Sequence, residues 1–239
     1  MKKQVAVIGL GRFGSHLAIA LSEARYEVLA IDRNAELVET IAPNVTRAYK
    51  ADSTNESSLR KLGIDNFDVA IVAVGTSIQD SVLTTILLKK LGVPYIVARA
   101  DNELHGEILK SIGAHKIIFP ERDTALRTGP VMTMKGVNDY IPLGDGSGII
   151  KVKAPSFFVG KTLADVGLGT KEKSNAVVLM IQRGKEGLIN PAQEEVISHI
   201  DVLIIAGNNT YIDKLLENAE KAQETEEKKR NGSRENNLK

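Results

Sequence analysis

Apolar residues fall in short β-branched runs through the first half of the chain, separated by stretches with one apolar and one polar face. Val5 to Ile8, Val28 to Ile31, Val45 to Tyr49, Val69 to Val74, Tyr95 to Ala98 and Lys116 to Phe119 read as strands. Phe13 to Ala24, Glu36 to Ile41, Glu56 to Leu62, Ser81 to Leu91 and Glu103 to Ile112 read as helices; in the first, Leu17, Ala20, Leu21 and Ala24 share one helical face. The alternation predicts an α/β domain over residues 1–120, built on a parallel sheet with helices on both faces.

Beyond Pro120 the pattern changes. Glu121 to Lys135 is weakly amphipathic and interrupted by Gly129-Pro130, so residues 121–140 read as a connector or crossover helix. Asp139 to Leu143, Gly148 to Val152, Val177 to Gln182 and Val202 to Ala206 then predict strands between glycine-rich turns, with short helices near Leu163 to Val166 and from Tyr211 to Ala222. These make a small α+β domain over 141–220. Residues 221–239 are nearly all charged or amide-bearing and predict a frayed helix running into a disordered tail.

Composition narrows the function classes. Of 239 residues, 43% are hydrophobic, enough for a sizeable core. Lys and Arg total 31 against 30 Asp and Glu, so no global field draws nucleic acid, and no basic helix-turn-helix segment offers to read DNA. Without cysteine there is no disulfide or thiolate chemistry. The apolar run after Met1-Lys2-Lys3 ends at Gly9, too short for a signal peptide, and no stretch approaches the roughly 20 apolar residues that span a bilayer. A soluble, cytoplasmic protein with no membrane insertion is expected.

The strongest motif is Gly9-Leu10-Gly11-Arg12-Phe13-Gly14, between the first strand and first helix. In a Rossmann-type fold the first glycine makes the tight turn, the second admits a diphosphate to the backbone, and the third lets helix and strand pack closely. Asp32 ends the second strand eighteen residues after Gly14, where a carboxylate takes the ribose hydroxyls. Its charge disfavours a 2′-phosphate, and Arg33 beside it weakens that effect without reversing it. An adenine nucleotide such as NAD, ATP or ADP is therefore expected.

Asp52-Ser53 follows the third strand and has two readings: contact with the adenine edge, or the N-cap of the next helix at Ser53 or Thr54. Ala73-Val74-Gly75 ends the fourth strand with small residues that permit close approach. Arg12 stands in the first helical turn, where a cation opposes the helix dipole; it reads as a phosphate partner or as a solvated arginine. The four histidines, His16, His105, His115 and His199, are scattered without acid partners, although His105 can approach the nucleotide from the helix after the fifth strand. With no acid–base constellation in view, a sensor is expected rather than an enzyme. A small NAD-dependent oxidoreductase or an NADH redox sensor is the alternative.

Over residues 1–220 the chain resembles the RCK (regulator of K⁺ conductance) subunits of Trk and Ktr potassium uptake systems, most nearly the single-copy Ktr type. The resemblance rests on Val7 to Gly14, Ala51-Asp52-Ser53-Thr54, Val72-Ala73-Val74-Gly75 with Ile78-Gln79 and Thr84-Thr85, and Gly113 to Asp123. Gly160-Lys161-Thr162-Leu163, Ile189-Asn190-Pro191 and Asp201-Val202-Leu203 carry it into the second domain. It implies a gating subunit: homodimers in an octameric ring under a membrane K⁺-translocating partner, with ATP favouring the active ring and ADP the inactive one. Arg12 would reach the γ-phosphate across a dimer interface, and Asp32, Asp52, Arg99 and His105 would hold ribose, adenine and phosphates. Glu121 would help bind a cation near the γ-phosphate, and NAD or NADH is a further ligand of the family. In some relatives the C-terminal module takes cyclic di-AMP; Asn175 and Pro191 stand at corresponding positions, while Gly167-Leu168-Gly169-Thr170 lacks the family's arginine.

Overall fold

The chain forms two compact units, Met1–Asp123 and Thr124–Lys239. The computed structural model describes residues 3–75, 77–169 and 175–236.

In the first unit, strands β1 (Gln4–Ile8), β2 (Glu27–Asp32), β3 (Arg47–Lys50), β4 (Val69–Val72), β5 (Tyr95–Arg99) and β6 (Lys116–Ile118) alternate with helices α1 (Arg12–Glu23), α2 (Ala35–Ile41), α3 (Glu56–Lys61), α4 (Ile78–Lys90) and α5 (Glu103–Ser111). The sheet is wholly parallel with order β3-β2-β1-β4-β5-β6, so the order reverses between β1 and β4. Side chains of β1 and β2 alternate between two cores. Ala6, Ile8, Leu29 and Ile31 join Leu59, Leu88 and Leu109 from α3, α4 and α5, whereas Val5, Val7, Val28 and Ala30 join Ala18, Val38 and Ile41 from α1 and α2. Burial on both faces explains the continuous apolar runs. The two edge strands carry the charged exposed residues, Arg47 and Lys50 on β3 and Lys116 on β6.

Helix α6 (Pro120–Thr133) runs across the division between the units, and Gly129-Pro130 lies within it rather than interrupting it. Pro130 does remove one helical N–H donor.

The second unit is an antiparallel sheet of β7 (Val137–Gly144), β8 (Ser147–Lys153), β9 (Ala176–Arg183), β10 (Glu186–Ile189) and β11 (Asp201–Asn208), in the order β10-β9-β11-β8-β7, followed by helix α7 (Asn209–Asn236). Ile150, Val152, Val178, Ile181, Leu203 and Ile205 form its core with Ile212, Leu216 and Ala219 of α7. One expectation is corrected. Leu163 to Val166 is a turn ending at Gly167, whose φ of +78° no helix continues, and its entrance is pinned by the Thr162 to Val196 bridge. The helix read at the start of the charged segment continues α7, which runs to Asn236, as its Glu, Lys, Ala and Gln content favours once α7 is nucleated on the sheet.

Candidate functional site

Helix α1 begins at the carboxyl end of β1, where the strand order reverses; ligands of open α/β sheets sit at this crevice. Gly9 turns the chain there with φ of +94°, and a Cβ on it would lie 2.9 Å from the Ala73 carbonyl carbon. A Cβ on Gly14 would strike the Gly9 carbonyl oxygen. The packing of α1 on the sheet therefore requires both glycines. Gly11 is different: its φ is −64° and a Cβ there would meet nothing within 4 Å. The fold itself makes no demand for glycine at position 11.

The end of α1 is also unlike its neighbours. Helices α2, α3, α4 and α5 are capped by the side chains of Asn34, Asn55, Ser77 and Asn102, and each has an acid in its first turn. Helix α1 has neither a side-chain cap nor a first-turn acid, and its first residue is Arg12. Its leading amides and the positive end of its dipole face the crevice unneutralised, the arrangement that binds a phosphate.

Asp32 fixes this loop from the end of β2. Its Oδ2 accepts the Leu10 N–H at 2.6 Å and its Oδ1 accepts the Asn34 N–H at 2.8 Å. A carboxylate has about four lone-pair directions, so two remain, one per oxygen, to accept a vicinal diol. Around these groups lies a cavity of about 750 Å³. That is within the roughly 300–1,000 Å³ of small-molecule sites. Gly9, Gly11, Arg12, Phe13, Asp32, Arg33, Asp52, Ser53, Ala73, Val74, Gly75, Arg99 and Glu121 all line it.

Also lining the cavity, Asp52 accepts at Oδ1 from the Thr54 hydroxyl at 2.7 Å and the Thr54 amide at 2.9 Å, which hold its carboxyl below the usual range. Asn55 caps α3, which displaces the reading of Ser53 or Thr54 as the N-cap. Ser53 Oγ pairs with Thr84 Oγ1 of α4 at 2.8 Å. The Arg99 guanidinium reaches Glu121 at 3.0 Å and Asp101 at 3.3 Å, and lies where a Cβ on Gly75 would overlap it. Its Nε is buried without a partner among the described residues.

His105 departs from expectation. It is buried at 2% exposure and does not line the cavity; burial lowers its pKa, with Asp101 opposing and Arg99 reinforcing. The other histidines lie elsewhere: His16 Nδ1 contacts the Arg12 carbonyl, and His115 stacks on Tyr95.

The TrkA-N domain family model matches residues 5–120, and the TrkA-C domain model matches residues 149–219. The chain is 43% identical over 212 residues to the Ktr system potassium uptake protein C of Bacillus subtilis (strain 168), covering 89% of this chain and 95% of that protein. The chain belongs to the Ktr family of potassium uptake proteins. The GsuK RCK domain shares the fold with a TM-score of 0.61 at 16% identity over 90% of this chain, and the GsuK channel bound to NAD does so with 0.58 at 16% identity over 87%. This Ktr family chain spans 48% and 37% of those longer chains.

The sequence does not single out Asp80, and singles out Thr84 only as part of the family resemblance. Asp80 lines the cavity and pairs with Arg33 at 3.2 Å, and Thr84 holds Ser53. The spacing Ser77-x-x-Asp80 is a helix-start signal that places α4 three residues earlier than its apolar periodicity does, with Asp80 in the first turn. In the second unit, Asn175 is exposed and its carbonyl accepts the Asn208 N–H, Pro191 is buried, and Thr170 lies outside the described residues. Among the described residues, no helix is long and apolar enough to cross a membrane.

Proposed function

We propose that this chain is a nucleotide-sensing regulatory subunit of a potassium uptake system, in which the adenine nucleotide held between β1 and β4 biases the activity of a membrane K⁺-translocating partner. The observation that carries the reading is the combination of an uncapped α1, Arg12 at its first position, and Asp32 lining the same cavity with each oxygen accepting a single amide. Arg12 forms no ion pair among the described residues. A γ-phosphate adds charge and oxygens next to such a group, whereas ADP does not, and only a contact that differs between ligands or between states can shift an equilibrium.

Homodimers arranged in an octameric ring, with Arg12 serving a neighbour's γ-phosphate, would convert that difference into a change of ring geometry. The partner would hold the ring at the inner face of the plasma membrane. Glu121 presents one exposed carboxylate already engaged by Arg99, and no group of three or more His, Asp or Glu among the described residues is placed to hold a metal. A cation there would take most of its ligands from phosphate oxygens. The potassium uptake role of the B. subtilis relative supports the partner class, and the NAD-bound GsuK channel supports NAD or NADH as a competing occupant.

The test is calorimetric titration of the full chain and its Arg12→Ala variant with ATP, ADP, NAD and NADH, followed by sizing in ATP and in ADP. The wild type should separate ATP from ADP by about 5- to 150-fold, the usual span of allosteric coupling, and Arg12→Ala should compress that ratio. An unchanged ratio overturns Arg12 as the discriminating contact. If no adenine nucleotide binds, the site reading fails.

A further inference from the structure

The dipeptide Asp32-Arg33 gives opposed instructions about the ribose. An acid at the end of β2 accepts a free 2′-hydroxyl, while an arginine beside it is the residue that accommodates a 2′-phosphate. Both side chains line the same cavity, so the backbone alone does not decide between them. The structure decides through a third residue, forty-seven positions away: Asp80, in the first turn of α4, accepts from Arg33 Nη1 at 3.2 Å. The start of α4 that carries Asp80 is capped by Ser77, whose hydroxyl accepts the Asp80 amide at 3.1 Å. The Asp80 side chain is 26% exposed, against 69% for Arg33. The less exposed acid thus pairs with the more exposed cation.

We propose that Asp80 is a specificity-determining residue that excludes 2′-phosphorylated nucleotides from this site. It acts in two ways. It occupies the guanidinium that would otherwise turn toward a 2′-phosphate, and it adds a second carboxylate beside Asp32, so that the three side chains together carry one net negative charge. A 2′-phosphate brought there meets repulsion from two acids and finds the neighbouring Arg33 already paired. A free 2′-hydroxyl meets none of this, because Asp32 keeps one open lone pair on each oxygen. Asp80 is therefore a positioning residue for Arg33 as well as a charge in its own right. The inference rests on the reading of the cavity as an adenine-nucleotide site and adds to it which ribose that site admits.

The probes are 5′-AMP and adenosine 2′,5′-bisphosphate, which differ by the 2′-phosphate alone, titrated calorimetrically into the full chain. Wild type should strongly prefer 5′-AMP. Asp80→Asn keeps the size of the side chain and the backbone bond to Ser77 but removes the charge, and it should lower the preference on the order of tenfold, as expected for removing one charge near a partly exposed site. Adding Arg33→Ala to Asp80→Asn should abolish that gain, because the freed guanidinium is what accepts the phosphate. A loss of general packing at α4 would weaken both ligands alike and leave the ratio where it was. An unchanged ratio with 5′-AMP still bound by the wild type overturns the role of Asp80 alone. Absence of 5′-AMP binding by the wild type overturns the nucleotide site and this inference with it.

Discussion

Asp32 Oδ2 accepts the Leu10 amide at 2.6 Å, tying the end of β2 to the glycine loop that follows β1. One carboxylate thus shapes the glycine loop and, in the proposed function, presents the ribose acceptor, so the two halves of the candidate site depend on each other. Asp32→Asn turns an acceptor into a donor facing either the Leu10 or the Asn34 N–H. Leaving a partly buried amide unsatisfied costs about 1–3 kcal/mol. The variant should melt earlier and bind adenine nucleotides more weakly by on the order of tenfold or more, read by thermal denaturation and calorimetry.

Gly11 separates folding from binding. The protein tolerates a methyl group at position 11 because nothing lies within 4 Å of it, while Gly9 and Gly14 are hemmed in by backbone. Gly11→Ala should change stability by no more than about 1 kcal/mol, the scale of an N-cap exchange. Its methyl group should obstruct a diphosphate approaching the α1 amides and weaken ATP and ADP binding on the order of tenfold or more. Gly14→Ala should instead unfold or severely destabilise the first unit. Equal binding by Gly11→Ala and wild type would place the phosphates elsewhere.

His105 should make the first unit sensitive to mild acid. Burial disfavours its charged form, so its pKa in the folded chain lies below the ordinary 6.5 of a histidine. Below that value the unfolded chain binds a proton that the folded chain refuses, so stability falls with decreasing pH until the folded pKa is reached. One proton limits the slope to about 1.4 kcal/mol per pH unit. Chemical denaturation from pH 7.5 to 5.5 should show this loss in the wild type and a shallower one in His105→Gln.

The sequence displays the first unit well because its signals are local. Strands buried on both faces have to be runs such as Val5 to Ile8, and a phosphate loop has to concentrate its glycines within a few residues. What stayed hidden depends on distance along the chain. Asp80 acquires meaning only when the sheet carries the start of α4 beside Arg33, and His105 reads as a ligand until its ring is seen buried. Strand β10 escaped for a different reason: Glu186-Gly187-Leu188-Ile189 is exposed throughout at a sheet edge and shows no alternation. Charged tail residues carry helix propensity but no amphipathic period, so their continuation of α7 follows from what precedes them rather than from their own pattern.

The second unit carries its own electrostatic anchor. Asp201 and Arg183 are directly opposed on β11 and β9, and the carboxylate accepts Arg183 Nε and Nη2 at 2.9 Å each and the Ser198 N–H at 2.8 Å. The Asp201 side chain is fully buried, and burial pushes its pKa upward. The bidentate guanidinium and the Ser198 amide outweigh that push, so the group lies below its ordinary 3.8. Removing the acid strands a cation that has Glu195 as a second partner at 3.1 Å and is 37% exposed. The cost of Asp201→Asn should therefore be about 2–3 kcal/mol, under the 3–5 kcal/mol of a fully buried pair. Because the folded pKa is depressed, the pair's contribution is complete well above the ordinary 3.8 and disappears as pH falls through the folded value. Urea denaturation at pH 7 should thus show the full deficit of Asp201→Asn, and the gap to wild type should narrow below pH 3.8. Replacing Asp201 and Arg183 together with apolar residues of similar volume should cost less than Asp201→Asn alone, since no unpaired charge remains. A double variant as unstable as the single one would mean that the cross-strand geometry, rather than the charge, holds β9 to β11.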